Sequence, residues 1–533
     1  MPILLITVIG AFLRFYAIGR QGFWFDESYT VLLVHRGPGE MLRLLPQLES
    51  TPPLYYFVAW VWARIFGFDE AGLKSLSALC GTLTIPIAYF AARKLLANWR
   101  SALIVAALTA FNPFLIWYSQ EARAYSMLVL MSACTLLAFA YVRERPRPLA
   151  VAYWALACAL ALLTHYYAAI VVGPEIAWLL YEHRHSRAVQ CGIGAIVLVA
   201  AALSPLAIRQ SENRSNKWIT HASYLLRLRQ IPALFLIGPE THLRELMKFT
   251  GFAMVGVAVV LLIWRTRRRE RQAALLPGGI ALAGFLISAI LGHSTLLGRN
   301  LLPILIPAAM FLAGGLGAAR TRLAGIIATA TLCAIGVVAV ISVDTTDAFQ
   351  RPNWKLVANK LGHWPQPGYS SRDGRIIIIQ DNPGLLPLNL YLKDLRYIHA
   401  TTLHRIVEID VIATLPHAGL GGFCWWGSEC NLVPSVLDHR YFIPGFHVVA
   451  RTRIHDFGVE ELRANRPQTL LRSALPTVGE QQAEARRERL QRLRNYRKHH
   501  RHLRKHRHGS GKRHHLSRLT NRPVHDAQLI EQT

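Results

Sequence analysis

Eleven apolar runs, each of about 15 to 23 residues, constrain this chain more than any other feature. About 20 apolar residues in a helix cross the hydrocarbon core of a bilayer, and soluble domains do not repeat such runs. The runs lie near 2–19, 75–92, 101–117, 125–142, 149–165, 167–181, 189–208, 248–264, 275–292, 299–318 and 323–343. Of the 533 residues, 52% are hydrophobic, which excludes an ordinary soluble protein of this length. The first run has no basic stretch before it and no small-residue cleavage pattern after it, so it reads as a span and not as a removed signal.

Alternate connections between these runs are rich in Arg and Lys: Arg93-Lys94 to Arg100, Arg143 to Arg147, Arg184 to Arg187, Arg265 to Arg271 and Arg320 to Arg322. Basic loops stay in the cytoplasm, which places 20–74, 118–124, His165-Tyr166, 209–247, 293–298 and everything after 344 on the outer side. One apolar stretch breaks the pattern. Leu54 to Phe68 is short and contains Arg64, so it reads as interfacial or re-entrant. Counting it as a span would invert every later loop and put the Arg clusters outside.

With this topology the unusual residues all emerge on the outer side. They are Asp26-Glu27, directly after the first run, Pro52-Pro53-Leu54-Tyr55-Tyr56, Tyr118-Ser119-Gln120-Glu121-Ala122-Arg123, Thr164-His165-Tyr166-Tyr167, Trp218 and Arg299-Asn300. Residues so distant in sequence and alike in sidedness suggest one site at the outer leaflet. Plainer alternatives stand beside each: Asp26 pairing with Arg20 or capping the next helix, Glu121 and Arg123 forming a structural ion pair, His165 in an interfacial belt, and Arg299 snorkelling at a helix end. Tyr55 and Tyr56 read as belt aromatics in preference to acceptor contacts.

After residue 343 the character changes. An amphipathic helix from Pro352 to about Leu361, a buried strand from Arg375 to Asp381 and another from Phe446 to Thr452 make a small extracytoplasmic α/β domain over 344–465. Cys424 and Cys430 lie within it and are candidates for a disulfide closing a short loop on the oxidising side. The other five cysteines fall in apolar runs and read as small buried hydrophobes. The tail from 466 on is basic and His-rich. From Arg486 to Arg522 it carries fifteen Lys/Arg against Glu488 alone, half of the chain's net charge of +28. It lacks the apolar periodicity of a folded core. Its place outside the cell argues against nucleic acid and for anionic lipid headgroups or envelope polyanions as partners.

The motifs WFDES, TPPLYY, NPFLIWYSQEARAYS and LLTHYYA, in that order, followed by RPNWKLVANKL, resemble the GT-C superfamily of membrane glycosyltransferases. The likeness is to its bacterial protein-mannosyltransferase-like group, kin to dolichyl-phosphate-mannose protein mannosyltransferases and lipid A aminoarabinose transferases. It covers about residues 1–365 and leaves the basic tail without a counterpart. It implies a polytopic helical enzyme that moves a sugar from a polyprenyl-phosphate carrier to a lipid, polysaccharide or protein acceptor at the outer face, with inversion. Asp26 then matches the expected general base, with Glu27 its neighbour in the motif; Glu121 and Arg123 match the second outer-loop motif. Thr51 departs from the pattern, since many relatives carry His before the Pro-Pro pair.

Independently, an inverting transfer needs one carboxylate to take the acceptor proton. The leaving phosphate needs cations, for which Arg123, His165 and Arg299 are candidates, with Glu121 and Tyr166 in the same outer set. A divalent ion is an open possibility, with Asp26, Glu121 and His165 as conceivable ligands. Two other classes compete with the enzyme. A flippase or transporter of a lipid-linked substrate should show charged or broken helices near the midplane and an internal repeat. A scaffold anchoring the basic tail would leave Asp26-Glu27 unexplained.

Overall fold

The computed structural model describes residues 2–212, 223–292, 295–364, 366, 374–379, 385–392, 403–414, 441–454, 457–471, 475 and 491. Trp218, Cys424 and Cys430 lie outside the described residues.

The first 212 residues form α1 (Pro2–Phe15), α2 (Phe25–Val34), α3 (Pro38–Leu48), α4 (Leu54–Phe66), α5 (Glu70–Leu95), α6 (Trp99–Phe111), α7 (Pro113–Ser119), α8 (Tyr125–Glu144), α9 (Pro148–Thr164), α10 (Ala169–His183) and α11 (Arg187–Ser211). There follow α12 (Tyr224–Ile237), α13 (Arg244–Arg265), α14 (Arg268–Leu291), a 3-10 turn Gly298–Ile304 running into α15 (Leu305–Leu316), α16 (Arg322–Thr345), α17 (Trp354–Leu361) and α18 (Leu385–Tyr391). Among the described residues seven segments are long and apolar enough to cross a membrane: α5, α8, α11, α13, α14, the Gly298–Leu316 unit and α16. The chain is therefore an integral membrane protein. Helices α6 and α7 make an eighth if counted as one span bent by 54°.

The other three expected spans are present as helices but are shorter: 14 residues in α1, 17 in α9 and 15 in α10. At 1.5 Å per residue a 14-residue helix is about 21 Å long, less than the hydrocarbon thickness of about 30 Å. The stretch read as interfacial is α4, whose 13 residues are likewise too short to cross. It buries Tyr55, Tyr56, Ala59 and Ala63 and leaves Val61, Ile65 and Phe66 exposed.

Local chemistry explains where several of these helices start. Asp69 accepts the Gly72 N–H and caps α5. Pro113 opens α7, and Asn112 caps it by accepting the Leu115 N–H. The same proline breaks α6, because it has no N–H for the Thr109 carbonyl. Arg14, wholly buried in α1, donates to the carbonyls of Gly10, Ala110 and Thr109, each at 2.9 Å, and so closes the break.

The largest core runs through α5 to α11, α14 and α15, with Trp154 at its heart. A second core lies beneath α2, α3, α4 and the start of α5. Within α10, Glu175 is an acid inside a span that the charge reading overlooked. It is fully buried and accepts from Thr135 Oγ1 at 2.9 Å and Trp154 Nε1 at 2.8 Å. These donors enclose it among packed helices.

Past the last span, four strands among the described residues form one sheet in the order β1-β2-β4-β3, with β1 (Gly374–Ile379), β2 (Leu403–Thr414), β3 (Phe446–Ile454) and β4 (Phe457–Leu471). β1 is parallel to β2, with Ile376 opposite Ile409 and Ile378 opposite Val411; the other pairings are antiparallel. Ile412, Phe457 and Val459 pack against Trp354, Val357 and Leu361 of α17 and Leu388 of α18. The helix and both strands expected from sequence are thus found as α17, β1 and β3. β4 runs to Leu471, past the expected domain end at 465, because its residues complete a ladder with β2 that begins at Leu403.

Candidate active site

α2 sets the site. Its N-cap is Trp24, whose N–H donates to Glu27 Oε2 at 3.2 Å, so the two acids of the motif point in different directions. Glu27 turns inward and is fully buried. Its Oε1 accepts the Ala122 N–H at 2.7 Å, and its Oε2 lies 3.6 Å from Lys74 Nζ. Every oxygen of Glu27 is thereby engaged in holding α2, α5 and the 119–125 loop together. Asp26 faces the other way. Its Oδ2 accepts from Arg299 Nη1 at 2.8 Å, and these two side chains keep 18% and 16% of their surface exposed. Arg20 donates instead to the Asp344 carbonyl at 3.2 Å. The pairing of Asp26 is therefore with Arg299 rather than Arg20, and Arg299 is not a snorkelling end residue.

Glu121 and Arg123 do not pair with each other. Arg123 grips Glu49 with both terminal nitrogens, Nη2 reaching Oε2 at 2.8 Å and Nη1 reaching Oε1. Its Nη1 also donates to the Asp26 carbonyl at 3.1 Å. Burial pushes the Glu49 carboxyl above its usual range, and Arg123 opposes that shift. In turn Arg123 is held well above its ordinary value by Glu49, Tyr56 and Asp26, against its own burial. Glu121 is fully buried. It accepts from Trp24 Nε1 at 3.2 Å and faces Arg351 Nη2 at 3.3 Å. Burial raises its pKa to about 7, with Arg351 pulling down and Glu27 and Asp26 pushing up.

The remaining residues extend one network. The Arg299 guanidinium lies 5.8 Å from the Tyr125 ring centre, and the Tyr125 and His165 rings are 5.8 Å apart. His165 is buried, and its Nδ1 accepts the Tyr167 N–H at 3.1 Å, which leaves Nε2 as the protonated nitrogen of a neutral ring. That is not the exposed setting of a belt residue. Tyr166 donates to Gln210 Oε1 at 2.7 Å, and Gln210 Nε2 donates to the Thr51 carbonyl at 3.0 Å. The Thr51 hydroxyl sits 2.9 Å from the Tyr56 hydroxyl. Tyr55 and Tyr56 are 1% and 0% exposed, which corrects their reading as interfacial or acceptor-contacting residues. Both stand on the face of α4 that packs inward, and only the opposite face of that helix is open.

Glu49, Arg351 and Lys74 belong to the network and were missed in the sequence. Arg351 donates to the Trp117 carbonyl at 2.9 Å and lies 4.0 Å from the Trp117 ring centre. It heads the RPNWK motif, which was the available signal. Glu49 stands just before the Thr51-Pro52-Pro53 motif but outside it, and Lys74 opens an apolar run. Among the described residues no group of three His, Cys, Asp or Glu converges, and Asp26 and Glu121 each face a guanidinium.

Residues 50–208 match the family described as dolichyl-phosphate-mannose-protein mannosyltransferase. The fold is similar to that of ArnT from Cupriavidus metallidurans in the apo state, with a TM-score of 0.54 at 14% identity, over 86% of this chain and 97% of that one. The same ArnT bound to undecaprenyl phosphate gives 0.48 at 13% identity, with the same coverage. The archaeal oligosaccharyltransferase AglB from Archaeoglobus fulgidus, in complex with an inhibitory peptide and a dolichol-phosphate, gives 0.44 at 12%, over 89% of this chain and 74% of that one. No curated protein matches by sequence. The family match thus covers residues 50–208, and the likeness to apo ArnT shows a shared fold over most of both chains.

Proposed function

We propose that the protein transfers a sugar from a polyprenyl-phosphate carrier to an acceptor hydroxyl at the outer face of the plasma or inner membrane, with Asp26 as general base. The observation that carries this reading is the contrast among the acids. Glu27, Glu49 and Glu121 are buried and committed to partners within the protein, whereas Asp26 and its partner Arg299 alone of this set keep an accessible edge. The match to a family described as dolichyl-phosphate-mannose-protein mannosyltransferase supports a lipid-linked donor.

In this mechanism the acceptor O–H gives its proton to the Asp26 carboxylate as its oxygen bonds to the anomeric carbon. The bond from that carbon to the phosphate oxygen breaks on the opposite face, and the polyprenyl phosphate departs with the electron pair, inverting the centre. A phosphate monoester leaves without an acid; it needs positive charge, which Arg299 supplies beside Asp26. His165 Nε2–H is a second donor, on the far side of Tyr125. Arg123 acts differently from its expected part in binding phosphate: both its terminal nitrogens hold Glu49, and through the Asp26 carbonyl it fixes the start of α2. No step runs through a metal. The basic tail, outside the cell with the site, binds anionic lipids or envelope polyanions in this reading, and the acceptor is a lipid, polysaccharide or protein hydroxyl.

The test is transfer in purified membranes carrying wild-type or Asp26→Asn protein, supplied with a panel of radiolabelled polyprenyl-phosphate sugars. Label reaching an acceptor with wild type only supports the reading and identifies the donor. Equal transfer by both removes Asp26 from the mechanism. No transfer from any donor by folded protein shifts the balance to a flippase.

A further inference from the structure

The stretch Gln21–Trp24, which carries the chain into the first turn of α2 and Asp26, has no regular structure of its own, yet it is buried at Phe23 and Trp24. Buried backbone must find partners, and here side chains supply them. The Phe23 N–H donates to the Tyr391 hydroxyl at 2.6 Å. That hydroxyl donates to Glu70 Oε1 at 3.0 Å, and Lys355 Nζ lies 3.1 Å from the same oxygen. Lys74 Nζ reaches the Gln21 carbonyl at 2.9 Å. The Trp24 indole is held by Glu121, which faces Arg351. Contact is close enough that a Cβ at Gly22 would come within 2.8 Å of Asn353 Oδ1, 2.9 Å of Lys355 Cβ and 3.2 Å of the Tyr391 hydroxyl.

Four of these groups, Arg351, Asn353, Lys355 and Tyr391, lie beyond the last membrane span. From this convergence we propose that Arg351, Lys355 and Tyr391 form a clamp on Gln21–Trp24, and that Arg351 and Tyr391 are positioning residues for Asp26. The proposal rests on the glycosyltransferase reading for its kinetic consequence only. Trp24 is the N-cap of α2 and Asp26 lies in its first turn, so a shift of Trp24 displaces the Asp26 carboxylate directly. A displacement near 1 Å at a reacting group costs about 100-fold in rate. The outer α/β domain, which packs on α17 and α18, thereby acts on the site through two side chains without contributing a reacting atom.

The experiment uses full-length protein in lipid nanodiscs and compares wild type with Tyr391→Phe, Arg351→Met and Arg351→Lys. Hydrogen exchange is read over residues 21–29, and transfer kinetics are read with the donor that the panel identifies. Tyr391→Phe and Arg351→Met should speed exchange in 21–29 by about tenfold or more while leaving α8 and α14 protected. They should lower kcat about 10- to 100-fold with the donor KM within about twofold of wild type. Arg351→Lys, which keeps the charge but loses the fork, should fall between. Tyr391→Phe placed on Asp26→Asn should cost nothing further, since it acts through that residue. Unchanged exchange over 21–29 overturns the clamp, and so does raised exchange with unchanged kcat, or a loss carried wholly by KM. If wild type transfers from no donor, the enzymatic reading fails by itself, and the exchange measurement still decides the clamp.

Discussion

Glu49 is the residue whose loss the structure makes most calculable. Its two oxygens take both terminal nitrogens of Arg123, and the side chains are only 2% and 10% exposed. Charge-assisted hydrogen bonds contribute about 1.5–3 kcal/mol each. Their gross sum overstates the pair, because both ions are stripped of water. The relevant quantity is what remains when one partner is removed. In Glu49→Gln the Arg123 cation stays buried and keeps the Asp26 carbonyl as an acceptor. Breaking a buried pair in this one-sided way costs about 3–5 kcal/mol. In a chain of this size each kcal/mol moves a thermal midpoint by about 2 °C or less, so Glu49→Gln should fall by up to about 10 °C.

The assay is thermal inactivation in detergent, followed by the loss of the monodisperse peak in size-exclusion chromatography. The double variant Glu49→Leu with Arg123→Met is the decisive comparison. It removes both charges, so it should be milder than either single change, with a coupling energy of at least about 2 kcal/mol. Its transfer rate should nevertheless stay low, because Arg123 no longer holds the Asp26 carbonyl. A Glu49→Gln midpoint equal to wild type, or a double variant at the sum of the singles, would refute the reasoning.

Two further predictions follow from the same geometry. Glu121 has its pKa raised by burial to about 7 from an ordinary 4.5, so the folded state binds the proton more tightly than the unfolded one. Its contribution to stability is full below about pH 4.5 and is lost as pH rises towards 7, a change of about 3 kcal/mol. Glu121→Gln should flatten that part of the pH profile of thermal inactivation, and an unchanged slope would contradict the assignment. Arg14→Met should cost about 1–3 kcal/mol by orphaning the Thr109 carbonyl, which Pro113 cannot serve, and should loosen the Ser119–Arg123 loop as read by hydrogen exchange.

The long spans were legible because membrane insertion is governed by hydrophobic run length, a local property of sequence. The three short helices show the limit of that reading. α1, α9 and α10 lie in runs long enough to cross, but the helices end early: α1 at Phe15, before the turn at Ala17, and α9 at His165, which takes an extended conformation. The sheet was half legible. β1 is an unbroken isoleucine run, whereas β2 and β4 carry buried Glu408, Asp410 and Glu460, which mask a strand to any hydrophobic pattern. Those acids are tolerated because Arg375, Arg463 and Arg451 reach across the sheet to them, a pairing that no local window contains.

At the site, segments that the sequence reading put on one side do meet, and closeness in sequence does not say which charges pair. Glu121 and Arg123 are two residues apart and look like partners. In the loop after α7 they point to opposite sides, one to Arg351 and the other to Glu49, respectively 230 and 74 residues away. Glu27 and Asp26 are likewise adjacent and alike in charge. The N-cap geometry at Trp24 turns one into a buried strut and leaves the other at an accessible edge. A motif therefore reports which residues gather at a place; backbone direction decides which of them can meet a substrate. That distinction singles out Asp26 with Arg299 and assigns the other charges of WFDES and SQEAR to holding that pair in place.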